Sequence, residues 1–117
     1  VVQINDRRKG AMAGRIMQAC GGHVRGKTIG ILGVAFKPNT DDMRDAPSLS
    51  IIPALQDAGA VVRAYDPEAM HEAERLLPGV VWCDDPYAVA EGASAVALLT
   101  EWNEFRALDF ERLGAAM

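Results

Sequence analysis

A chain of 117 residues, half apolar and 24% charged, has the proportions of an ordinary folded domain, or of one domain with a piece of another, and not those of a disordered or fibrous segment. No apolar run approaches the roughly 20 residues needed to cross a bilayer, and no basic-then-apolar signal pattern opens the chain, so a cytoplasmic protein is expected and a membrane or secreted one is not. The net charge of -4 is uneven: six of the twelve basic side chains (Arg7, Arg8, Lys9, Arg15, Arg25, Lys27) fall in the first 27 residues with Asp6 as the single acid there, but without interleaved aromatics or zinc spacing this reads as a solvated helix face and not as a nucleic-acid site.

Asn5 or Asp6 can cap a first helix reaching about Cys20, with Ala11, Met12, Ile16, Met17 and Ala19 on its apolar side and Gly21 and Gly22 to stop it. Val1 to Ile4 read as the tail of an element that starts upstream, as in an excised fragment. The run of Ile29, Ile31, Leu32 and Val34, bounded by Gly33 and Pro38, fits a buried strand covered on both faces, with β-branched residues and no polar alternation. Ser48 to Ala58 has helical periodicity with Pro47 before it and Gly59 after it, and Pro53 is expected in its first turn or at a kink. Val61 to Tyr65 is a second strand closed by Asp66 and Pro67, Glu68 to Leu77 a helix, Val80 to Trp82 a short strand, and Pro86 to Gly92 a further helical turn or two. Ala95 to Leu99 is a fourth strand, followed by short helices at Asn103 to Arg106 and Asp109 to Leu113. Strands alternating with helices imply crossovers and a parallel sheet, so the fold class is α/β, a Rossmann-like three-layer α/β/α arrangement preceded by an N-terminal helix.

The stretch Thr28 to Pro47, TIGILGVAFKPNTDDMRDAP, carries the chemistry. Its strand opens into a turn with one lysine, three aspartates and one arginine, and open parallel sheets bind ligands at the carboxyl ends of their strands. Lys37 and Arg44 would stand there as cationic donors to an anionic ligand, although a merely solvated loop is the bland alternative. Asp41, Asp42 and Asp45 fit helix capping and pairing with Arg44 better than a metal site, and no metal ligand is assigned. Asp66 is a plain turn former or an acceptor for a ribose hydroxyl, the turn being favoured. Glu101 and Trp102 either border the binding edge or pack on it. His23 and His71 are expected on the surface, and Cys20 and Cys83 as free thiols without nucleophilic function.

Read as GVAFKPNTDDMRDAPS, Gly33 to Ser48 resembles the signature loop of the C-terminal domain of the UDP-glucose/GDP-mannose dehydrogenase family. NDRRK (Asn5 to Lys9), AYDP (Ala64 to Pro67) and LLTEWNEFRALD (Leu98 to Asp109) resemble further segments of it in the same order. The resemblance implies that residues 1–24 end a central helical dimerisation domain and that 25–117 form the UDP-sugar-binding domain, truncated before a further arginine-bearing loop. It implies a nucleotide sugar as ligand, with Phe36 and Lys37 lining its site and Arg44 reaching toward NAD, and a full-length enzyme that is a homodimer or higher homo-oligomer. The family oxidises the sugar C6 alcohol in two NAD-dependent steps. The wording TDDMRDAPS is most similar to the UDP-glucose branch, with a GDP-mannose or UDP-N-acetylmannosamine branch, or a non-catalytic Rossmann-like interaction module, as the alternatives. Nothing matches the family's GxGxxG cofactor loop or catalytic cysteine segment, so no catalytic residue is assigned and the chain alone is expected to be inactive.

Overall fold

Strand β1, Thr28–Leu32, has no polar alternation because both of its faces are covered: Ile29, Gly30, Ile31 and Leu32 are all buried. The computed structural model describes residues 14, 16–18, 20–34, 48–99 and 110–117. Within them β1 pairs in parallel with β2 (Val61–Tyr65) on one side and with β4 (Ala95–Leu98) on the other, while β3 (Val81–Trp82) adds to the outside of β2, giving the order β3-β2-β1-β4. The order reverses after β3, so the chain must pass from one side of β1 to the other. A crossover that runs the opposite way along a sheet puts its helix on the opposite face, if its hand is kept.

The helices divide accordingly. Helix α1 (Ser48–Asp57) and helix α2 (Met70–Leu76) contribute Ile51, Ile52, Leu55 and Ala73 to a large cluster with Ile29, Ile31, Val62, Ala64, Ala95 and Ala97, which Ile16, Cys20 and Val24 from the N-terminal segment complete. On the other face helix α3 (Pro86–Ala90) packs Val89 and Ala90 onto Leu32 and Val96, with Met117, beyond helix α4 (Phe110–Ala116), against the same small cluster. The expected three-layer α/β/α architecture is therefore present. The N-terminal helix is described at residues 14 and 16–18 and ends at Gly21 and Gly22, whose φ angles of 87° and 104° fit only glycine comfortably.

Several boundaries differ from the sequence reading, each for a local reason. Pro53 lies in the second turn of α1, not the first; its missing N–H leaves the carbonyl of Leu49 without the usual helical donor. Helix α2 starts at Met70 and not at Glu68, because the Asp66 side chain first holds residues 67–69 in a turn. Helix α3 is only Pro86–Ala90, capped by Asp85, which accepts from Tyr87 N at 2.7 Å and precedes a proline at the first helical position. Helix α4 runs on through Gly114 to Ala116, past the expected end at Leu113.

One glycine sets the spacing of the second face. A Cβ on Gly30 would stand 2.8 Å from Val89 Cγ1 and 3.0 Å from the Val89 carbonyl, so α3 rests on the bare backbone of β1. Arg63, on the same face of β2, donates from Nη1 to the carbonyls of Ala88 (3.5 Å) and Glu91 at the end of α3, a cation where the helix dipole is negative.

Candidate functional site

The reversal of strand order places a crevice at the carboxyl ends of β1 and β4, the position where open α/β sheets hold ligands. Three strand ends meet there. Leu99 N donates to the Leu32 carbonyl at 3.0 Å and Gly33 N to the Tyr65 carbonyl at 2.8 Å, so the ladder continues one step past β1 on each side. Gly33 then turns with φ 86°, a conformation that side chains resist.

Beyond Gly33 the ladder gives way to side chains. Val34 N donates to Asp66 Oδ2 at 2.8 Å, and Val34 O accepts from Ser48 Oγ at 2.6 Å. The other carboxylate oxygen, Asp66 Oδ1, accepts from Glu68 N at 2.9 Å and Ala69 N at 2.8 Å. Ser48 and Asp66 are the buried polar side chains among the described residues, both at 0% exposure, and both bond Val34. A buried carboxylate is tolerable when it accepts several N–H donors, and this one accepts three from the backbone. The Asp66 side chain does hold the turn, with an added bond across the sheet to Val34.

Phe36, Lys37 and Arg44, together with Asp41, Asp42, Asp45, Glu101 and Trp102, lie outside the described residues. The described residues that flank them are held at the carboxyl end of β1: Val34 and Ser48 are joined by a hydrogen bond, and Leu99 bonds Leu32. The role of Ser48 was not legible in the sequence, since a serine at a helix start normally bonds its own helix and this one bonds a residue 14 positions earlier. For Asp66 the Asp-Pro pair at a strand end was a signal, but only of the turn.

Two thiols and two imidazoles lie elsewhere among the described residues. Cys20 and Cys83 are free, as expected. Burial pushes both thiols up, opposed by Lys27 at Cys20 and by Arg63 at Cys83, where Asp84, Asp85 and Glu91 add to the upward shift. Neither is an activated thiolate. His23 and His71 are exposed, as expected. A shallow groove of about 300 Å³ between α3 and α4 is lined by Asp85, Tyr87, Ala88, Glu91 and Arg112, the guanidinium of Arg112 lying 3.9 Å from the centre of the Tyr87 ring. Strand β1 is followed by Gly33 and not by a GxGxxG sequence. Among the described residues no helix is long and apolar enough to cross a membrane.

A parallel sheet with helices on both faces and a reversal of strand order defines a doubly wound, Rossmann-like α/β domain. Residues 30–117 match the model of the UDP-glucose/GDP-mannose dehydrogenase family, UDP binding domain, and the chain belongs to that family. It is 53% identical over 116 residues to the UDP-glucose 6-dehydrogenase of Rhizobium meliloti, a match that takes in 99% of this chain and 26% of the relative. Among solved structures, a UDP-glucose dehydrogenase from Pyrobaculum islandicum superposes with TM-score 0.79 at 34% identity over 87% of this chain and 24% of its own. A UDP-D-ManNAc dehydrogenase from Pyrococcus horikoshii gives 0.71 at 28% identity, over 93% of this chain and 24% of its own. The chain thus spans about a quarter of the length of these relatives.

Proposed function

We propose that this chain is the part of an NAD-dependent UDP-glucose 6-dehydrogenase that holds the nucleotide sugar, with residues 1–24 ending a central helical domain and 25–117 forming the UDP-sugar-binding domain. The observation that carries the reading is the family match over residues 30–117 together with 53% identity to a UDP-glucose 6-dehydrogenase. The position of Val34 and Ser48, the residues on either side of segment 35–47, at the carboxyl end of β1 is compatible with it. In this reading Phe36 and Lys37 line the UDP-sugar site and Arg44 reaches toward the NAD. A diphosphate carries about two negative charges, and a bond to it from Lys or Arg is charge-assisted, about twice as strong as a neutral one. Binding energy gathered at the nucleotide, remote from the reacting carbon, orients the sugar C6 toward chemistry supplied elsewhere in the enzyme. NAD supplies the hydride-accepting chemistry when bound; these residues bind and orient, and the chain by itself does not turn over. The whole enzyme is a homodimer or higher homo-oligomer in the cytoplasm.

Calorimetric titration of the chain with UDP tests the reading. Binding that Lys37→Ala weakens by about tenfold or more, the worth of a lost charge-assisted bond, is the expected result. No binding of UDP overturns it. Likeness to the UDP-D-ManNAc enzyme keeps a second sugar in play, and the relative activity of the whole enzyme on UDP-glucose, UDP-N-acetylmannosamine and GDP-mannose decides between them.

A further inference from the structure

The two buried polar side chains at the crevice serve one backbone residue, and that residue is the last described before the segment with the candidate binding groups. Val34 has left the strand ladder, and among the described residues its buried N–H is bonded by Asp66 and its C=O by Ser48. One clamp comes from the end of β2 and the other from the first residue of α1, so three elements are tied at a single point. Ser48 is also the residue at which the chain returns from segment 35–47, so its hydrogen bond closes that segment onto its own start.

We propose that Asp66 and Ser48 are positioning residues for nucleotide binding: by holding Val34 from both sides they fix the two ends of the segment that carries Phe36, Lys37 and Arg44. The proposal rests on the assignment of that segment to the nucleotide sugar. Binding that must first order a loosely anchored segment is weakened by the entropy of ordering it, so a clamp that is already made in the free chain raises affinity without touching the ligand.

Asp66→Asn separates the two tasks of the carboxylate. Asparagine caps a turn as well as aspartate, so its one oxygen can still accept from Glu68 N and Ala69 N, but its amide group is a donor and cannot accept from Val34 N. Ser48→Ala removes the other clamp, and Ser48→Thr keeps the hydroxyl. Titration with UDP well below the unfolding midpoints is expected to show affinity reduced about tenfold or more in Asp66→Asn and in Ser48→Ala, with Ser48→Thr restoring most of the loss. The amide of Val34 should exchange with solvent at least about tenfold faster in Asp66→Asn. A role confined to stability would lower the unfolding midpoint and leave UDP affinity in place. Folded variants that bind UDP as the parent does, or a Val34 amide that exchanges at the parent rate, overturn the clamp; Ser48→Ala, the milder change, decides the matter if Asp66→Asn does not fold. A parent chain that binds no UDP overturns the nucleotide assignment instead.

Discussion

The two faces of the sheet are packed by different means. On the first, Ile29 and Ile31 of β1 interdigitate with Ile51, Ile52 and Leu55 of α1 and with Ile16 and Val24, and side-chain volume fills the space between the layers. On the second, the layer is thin: α3 approaches until Val89 meets the bare backbone at Gly30, and a cluster of Leu32, Val89, Ala90, Ala93 and Val96 completes it. The first face therefore depends on atoms being present and the second on an atom being absent. Opposite kinds of substitution should break them.

The largest effect is expected on the first face. Leu55→Ala, at a fully buried site, should cost about 2–5 kcal/mol in urea unfolding, whereas Ile29→Val should cost only about 0.5–1.5 kcal/mol, since packing of this kind tolerates near-isosteric change. On the second face the smallest possible addition should be harmful: Gly30→Ala is expected to cost about 1–3 kcal/mol by the same measurement, although alanine elsewhere in a strand is no worse than glycine. A neutral Gly30→Ala would break the comparison, as it would mean that α3 can lift away at no cost.

A smaller effect lies at the rim of the second face. Arg63→Met keeps most of the apolar stem but removes the donor to the carbonyls of Ala88 and Glu91, and a loss of about 1 kcal/mol is expected, with exchange of the α3 amides rising more than that of the β1 amides. The smallest effect concerns Cys83, beside the same rim. Burial holds its thiol above the ordinary value of 9.0, so the folded chain retains a proton that the unfolded chain releases first. The stability this group confers is whole below pH about 9 and is lost as pH rises through the higher folded value. Urea midpoints of the parent and of Cys83→Ser should run parallel near neutrality and converge above pH about 9, and curves that stay parallel throughout would remove the burial argument.

The loop that carries the candidate site and the face that supports it were not equally legible. Gly33 to Ser48 names its family by its wording, and the β-branched run before it marks a strand covered on both faces, which needs no polar alternation. The clamp on Val34 was not legible at all. Asp66 read as a turn and Ser48 as a helix start, each correct locally, and their shared partner depends on β2 and α1 being brought to the same strand end. Gly30 likewise gave no sign of what it admits, because glycine in a strand marks a close approach without saying by which element.

By itself, then, the sequence determined the alternation of strands and helices, the parallel sheet covered on both faces, and the family to which the motif after β1 belongs, because these follow from local periodicity, from turn residues and from a contiguous motif. Only the tertiary structure decided which face α3 rests on, why Gly30 must stay small, and that Asp66 and Ser48 hold Val34 between them. Those facts are contacts between residues distant in the chain, and no local pattern encodes a partner that arrives from another strand.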